Sequence, residues 1–469
     1  MAPRGGASRG AVLTGLAHLL LTAAALVACG FWWKQASRDR LVLAILAAGL
    51  IMRAIPGLIL FGISEGRLSL GQSLQLEPGF WFFAPDAVVY YHVAAVAAAN
   101  GLAAVATIDP LTPSVFYVKS LAAALYVFGA SPATSLLFNL LAFAALAHVA
   151  LTWHRRVGVG RGPLLLALAA VSLTPSWILW SYQPLKDTYF LLLVGLFFFV
   201  VDAWYARLSA DRWSWAETVA LLAAQMVIVY GLAGIRWYYA LVIVVLTPLG
   251  LVAALARRGR WSLRRAGIAA CGLLLTVEVI VPGAGLDLPR WVHLALRPTS
   301  VHAIQQLGGA PARAASSLNQ TREANVTAKG ATLIRIAHDE IGSVEPDLSE
   351  ASFGARLRGN LAVLALPKAL ALRIGNVSIG GGRGLWAFVD LDTLFFEATL
   401  LACAGMVARQ IRLGRVIRPV FWHLLSATAA ITILLSSEAA NFGTLFRMRS
   451  IIAIGIALLP LSVARSEDP

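Results

Sequence analysis

Apolar runs of about 20 residues, the length that carries a helix across a bilayer core, recur along this whole 469-residue chain. They lie near 11–30, 40–62, 132–152, 162–181, 188–206, 215–232, 237–256, 265–283, 386–408, 419–437 and 447–464. Charged residues make up 13% of the chain and hydrophobic ones 59%, whereas a soluble domain carries roughly a quarter charged. Mean hydropathy is +0.76. A surface of this composition faces lipid. The expectation is an all-α polytopic membrane protein with about eleven transmembrane helices, a single membrane-embedded unit over residues 1–469 with no separate soluble enzyme. The run 11–28 is long for the apolar stretch of a signal peptide and lacks a clear small-residue cleavage site, so it reads as the first helix.

The net charge of +15 comes from 38 Lys+Arg against 23 Asp+Glu. Its clusters lie between apolar runs: Lys34-Arg38-Arg40, His154-Arg155-Arg156-Arg161, Arg207-Arg212, Arg257-Arg258-Arg260-Arg264-Arg265 and Arg409-Arg412-Arg415-Arg418. With all five in the cytoplasm, every intervening span alternates. Sidedness therefore explains most of the basic charge, and no nucleic-acid module is implied. The C-terminus falls inside and the N-terminus outside, the latter against the mild pull of Arg4 and Arg9.

Three extracytoplasmic segments follow from this topology. Segment 63–131 holds two short apolar juxtamembrane helices, one running through Asn100 and one from about 113 to 128; a re-entrant hairpin is the alternative. The second is the tight turn 181–187. The third is a long outer loop, 284–385, with a polar middle that could form a small helical subdomain and an interfacial helix from Leu361 to Arg373. Cys29, Cys271 and Cys403 sit at or inside apolar runs and imply neither a disulfide framework nor a CxxC metal site. No internal repeat is visible, which counts against a transporter built on inverted repeats. Nearly all charges fall at span ends, with Glu278 the main exception.

Ionisable groups near the outer span ends are the candidates for chemistry. Asp86 follows Trp81-Phe82-Phe83-Ala84-Pro85 and opens an apolar helix. It reads either as a helix cap or as a general base for an attacking hydroxyl. Tyr90 falls one turn later on the same face, with Tyr91 and His92 close by. Lys186-Asp187 follows Pro184. The pair reads as a snorkelling lysine beside a capping acid, or as a phosphate contact beside a second acid. Arg236, before Trp237-Tyr238-Tyr239, is an aromatic-belt anchor or a phosphate clamp. Arg447 and Arg449 run against the positive-inside tendency, and Glu438 or a lipid phosphate would compensate them. Arg383 and the Asp390-Leu391-Asp392 triplet flank another outer span end. A D-x-D triplet can hold a divalent metal through hard oxygen ligands; no residue is assigned as a metal ligand, and a divalent metal is the one cofactor the sequence leaves open.

Taken together, Asp86 with Tyr90, Pro113-Ser114-Val115-Phe116-Tyr117 leading to Leu125-Tyr126-Val127-Phe128-Gly129, Asn139, Pro184-Leu185-Lys186-Asp187, and the tail Asn441-Phe442-Gly443-Thr444 with Arg447 and Arg449 resemble the C-type (GT-C) superfamily of membrane glycosyltransferases. The resemblance covers most of the chain from about residue 40 onward. It implies a polyprenyl-phosphate-linked sugar as donor and a cell-envelope glycan, lipid or protein as acceptor, in a bacterial inner membrane with an extracytoplasmic active site. It maps the catalytic carboxylate onto Asp86 and a second acid onto Asp187. The chain departs from the family by having no second acid beside Asp86, and Pro113-Ser114 where many members have paired prolines. Two rival readings stand beside it: an O-antigen-type polymerase or ligase using Arg313, Arg322 and Arg335, and a transporter or flippase of lipid-linked sugars.

Overall fold

The computed structural model describes residues 9–109, 112, 114–209, 214–257, 272, 275–276, 334–336, 353–366, 377–379, 386–438 and 442–464. Helix dominates them. Among the described residues, six helices are long and apolar enough to cross a membrane, or seven if one bent pair forms a single span. This is the architecture of an all-α membrane protein. Most of the expected span at 265–283 and of the loop 284–385, with Glu278, Arg313, Arg322, Arg383 and Asn441, lies outside the described residues.

The chain divides into two compact units. The first takes residues up to Leu173 and from Trp177 to Ala240. Its helices are α1 (Arg9–Ala36), α2 (Arg40–Glu65), α3 (Asp86–Ala99), α4 (Leu102–Ala106), α5 (Val115–Phe128), α6 (Pro132–Val157), α7 (Arg161–Leu173), most of α8 (Pro175–Ser181), α9 (Asp187–Ser209) and the first part of α10 (Trp215–Arg257). Helices α6 and α9 form its centre, with 78% of each apolar window buried, against 28% for α2. The exposed face of α2 carries Ile51, Met52, Ile55, Leu58 and Ile59, the composition of a lipid-facing surface.

Lipid tails are as apolar as leucine, so helices in a membrane associate by close packing of small residues. Gly195 on α9 lets Leu146 of α6 approach; a Cβ there would stand 2.7 Å from its Cδ1. Gly49 on α2 does the same for Ser172 and Phe143. Ends are set by sequence. Helix α6 starts at Ser131-Pro132, with the Ser131 hydroxyl accepting from Ala133 N, and stops at Gly158 in the left-handed region (φ 66°).

Two short apolar helices lie in 63–131 as expected, α3 and α5, and they pack on each other. Before them comes a hairpin the sequence reading did not anticipate, β1 (Gln75–Glu77) against β2 (Phe80–Trp81). Its Pro78-Gly79 corner puts Gly79 at φ 84°, and a Cβ there would stand 2.9 Å from Pro132 Cγ, so only glycine fits. The Ser64 hydroxyl at the end of α2 donates to Glu77 O (3.0 Å) and accepts from Gly79 N (3.0 Å).

Two expected spans differ in shape from their reading. The run 162–181 is broken into α7 and α8, bent by 46°. Val171 O has lost its helical partner because Pro175 has no N–H. The runs 215–232 and 237–256 belong to one helical stretch, α10, interrupted at Arg236 alone (φ −148°, ψ 80°).

The second unit takes Thr174–Ser176, the end of α10 from Leu241, and the remainder of the described chain. It contains α11 (Phe353–Ala365), α12 (Trp386–Arg412), α13 (Pro419–Glu438) and α14 (Phe442–Leu458). Strand β3 (Ile334–Ile336) pairs with β4 (Val377–Ile379), and β5 (Val416–Ile417) with β6 (Val463–Ala464). Helix α11 begins before the expected 361–373 helix and packs on α13, where Asn360 donates to Ser436 O (2.9 Å). The last expected span, 447–464, starts earlier, at Phe442, and its helix ends at Leu458 in a 3₁₀ turn, Leu459–Ser462.

Candidate functional site

In the first unit, four segments distant in sequence meet at the start of α9. The turn 181–187 is held from below by Asn139 of α6, which donates to Ser181 O (3.0 Å) and Gln183 O (2.8 Å). Gln183 in turn donates to Gly79 O at the hairpin corner (3.2 Å). This fixes the direction in which Lys186 and Asp187 leave the turn.

Lys186 is half-buried. Its Nζ donates to Ser114 Oγ (2.6 Å) and lies 5.7 Å from the centre of the Tyr90 ring. Tyr90 stands edge-on to Tyr117 (5.6 Å), and Tyr117, Phe138 and Tyr189 continue the aromatic wall at 5.2–6.3 Å. Ser114 adopts φ 59°, ψ 42°, a left-handed conformation that a non-glycine residue keeps only when its surroundings hold it there. The strained residue is the one that meets the lysine.

Asp187, the first residue of α9, pairs with Arg236 (Nη2 to Oδ1, 2.9 Å), each side chain only 3% exposed. Arg236 also donates to Tyr238 Oη (2.8 Å) and lies over the Phe190 ring. An acid enclosed this way positions its partner and is not presented to a substrate. Asp86 differs: it is exposed at the first position of α3, one turn before Tyr90, while Pro85 holds the N-cap position without a side-chain cap hydrogen bond. His92 lies on another face of α3 and meets Glu77 of β1 (3.0 Å), with both side chains about half exposed. The structure thus joins Tyr90, Lys186, Asp187 and Arg236 through direct contacts or shared neighbours, puts Asp86 one turn away, and turns His92 to the hairpin.

A comparison with protein-family models, curated proteins and solved structures finds no match to this chain.

The second unit has its own buried ion pair. Arg449 of α14 donates to Asp392 Oδ2 (3.3 Å) and Thr393 Oγ1 (2.7 Å), and Asp392 Oδ1 accepts from Ser176 N (2.7 Å). The compensating acid for Arg449 is therefore Asp392. Arg447, expected just before the last span, lies within α14 and is half-buried. The Asp390-x-Asp392 triplet lies inside α12, where residues two apart do not face each other. Among the described residues no group of three or more His, Cys, Asp or Glu side chains gathers as a metal site.

Sequence reasoning missed Arg53. It lies in the middle of α2, away from the span ends, and is fully buried. It donates to Gly49 O (2.9 Å), Ser172 O (2.7 Å) and Val171 O (3.0 Å), with its guanidinium 4.2 Å over the Phe143 ring. A lone arginine within the 40–62 run was the available signal. Ser114 was visible only as part of a motif, because a backbone strain has no sequence signature.

Proposed function

We propose that the chain is a GT-C-like glycosyltransferase with about eleven transmembrane helices, moving a sugar from a polyprenyl-phosphate donor to a cell-envelope acceptor on the extracytoplasmic face. The supporting observation is the gathering of the hairpin and α3, Ser114, Lys186-Asp187 and Arg236 around the start of α9. Asp86, exposed, takes the proton of the acceptor hydroxyl as its oxygen attacks the anomeric carbon. The bond from that carbon to the phosphate oxygen breaks, and the phosphate leaves with the electron pair. Lys186, half-buried at a helix N-terminus, meets the departing charge. Asp187 and Arg236 position that terminus. Arg449, enclosed with Asp392 in the second unit, has no part in this reading.

The test uses the full chain in membranes with polyprenyl-phosphate sugar donors. Asp86→Asn should lower kcat by about 10²- to 10⁴-fold, the usual contribution of a general base, with little change in melting temperature because Asp86 is exposed. Undiminished transfer by this variant ends the proposal. The flippase reading gains from the broken α7–α8 span and from buried Arg53, but the contacts of Arg53 with backbone carbonyls account for it structurally.

A further inference from the structure

At the other end of α9, a cavity of about 600 Å³ opens between the C-terminal turns of α6 and α9 and the first turns of α10. Its volume falls within the roughly 300–1,000 Å³ of small-ligand sites. Phe199, Val200 and Leu221 give it an apolar wall, and Ala203 on α9 with Ala220 and Ala224 on α10 leave the space that larger residues would fill. Ala224 lies deeper along its helix than the charged residues, which sit at the helix ends. Arg156 lies over the Phe199 ring (5.7 Å). Arg207 Nη1 meets Glu217 Oε2 (3.0 Å) with the arginine side chain 13% exposed.

Two guanidiniums line this cavity against one carboxylate. An apolar slot with a net cationic rim fits an amphiphile with an anionic head. A small soluble anion has no use for the slot, and a zwitterionic lipid gains little from the rim. On α9 (Asp187–Ser209) the rim residue Arg207 comes 20 residues after Asp187, so about 30 Å at 1.5 Å per residue separates this rim from Lys186 and Asp187. The basic loops at this end mark it as the side that the positive-inside rule assigns to the cytoplasm, the leaflet that carries anionic lipids.

We infer that this groove holds an acyl chain of an anionic glycerophospholipid, with the lipid phosphate at Arg156 and Arg207. The inference does not depend on glycosyl transfer. If it holds, Asp86→Asn keeps the lipid whatever its activity.

The test is native mass spectrometry of the full-length protein exchanged into detergent, with phosphatidylglycerol or phosphatidylcholine of matched chains added. Wild type should retain phosphatidylglycerol preferentially. Each arginine should contribute about fivefold to that preference, so Arg156→Gln, at an exposed position, lowers it about fivefold and Arg156→Gln/Arg207→Gln abolishes it. Ala220→Leu, which fills the slot and keeps both arginines, should lower retention of phosphatidylglycerol. Equal retention of the two lipids by wild type, or an unchanged preference in Arg156→Gln, overturns the inference. Displacement of the lipid by millimolar inorganic phosphate would also overturn it, since the acyl chain would then contribute nothing.

Discussion

Ser114 shows how one residue can report on a site. In a right-handed helix, alanine is about 1 kcal/mol better than glycine. At φ 59° that order should reverse, because the left-handed conformation costs a residue with a Cβ roughly 1–2 kcal/mol. Thermal unfolding of Ser114→Gly and Ser114→Ala in detergent should find the glycine variant the more stable, while both lose the Oγ that receives Lys186 and both transfer sugar more slowly. A second single-residue expectation concerns Asp39, which caps α2 and accepts both Nε (2.5 Å) and Nη2 (3.0 Å) of Arg161. Its hydrogen bonds to Arg161 hold the carboxyl below its ordinary value of 3.8. A lowered folded-state pKa stabilises above the ordinary value and loses that effect as pH falls through the lowered one. The melting-temperature gap between wild type and Asp39→Asn should therefore be full at neutral pH and shrink as the pH drops below about 4.

At the level of elements, two prolines and two side chains compensate each other. Pro56 inside α2 leaves Met52 O without its helical donor, and Tyr182 Oη supplies one (3.0 Å). Pro175 does the same to Val171 O, and Arg53 of α2 supplies that donor. Ser172 O would otherwise take Ser176 N, but that amide donates to Asp392, so Arg53 serves Ser172 O as well. Arg53→Met should orphan both carbonyls, at about 1–3 kcal/mol each. Adding Pro175→Ala, which returns an N–H to position 175, should reduce the loss, with a coupling of about 1 kcal/mol in a double-mutant cycle of melting measurements. Additive effects would refute the account. Much of the fold was legible at this scale because apolar length is a strong signal: α2, α6, α9, α12 and α13 lie where the runs lie. The break at Pro175 was hidden inside a continuous apolar run, and the hairpin at Pro78-Gly79 was too short to carry a periodicity. The D-x-D triplet carries no ligand geometry of its own, because that depends on the backbone beneath it, here a helix that sends the two acids apart. For the site, Tyr90, Lys186, Asp187 and Arg236 were legible as chemistry at span ends, whereas the enclosure of Asp187 and Arg236 depends on packing.

For the molecule as a whole, the proposal rests on sidedness. Helix α9 has the Lys186 cluster at its start and Arg207 near its end, so a single topology assigns both. Reporter fusions after Asn100 should be active only in the extracytoplasmic compartment, and fusions after Gly158 only in the cytoplasm. The reverse pattern would place Asp86 away from lipid-linked sugars that have crossed the membrane.

Arg53 also sets an order of events during synthesis. Helix α2 is made 118–119 residues before the carbonyls that receive its guanidinium, a delay of about 6–24 s at 5–20 residues per second. During that interval a charge worth about 2.5–3.5 kcal/mol at mid-membrane is carried by the apolar length of α2 alone. A chain released before the end of α7 emerges therefore holds an arginine in lipid with no acceptor from α7, and such a fragment is a ready target for quality control.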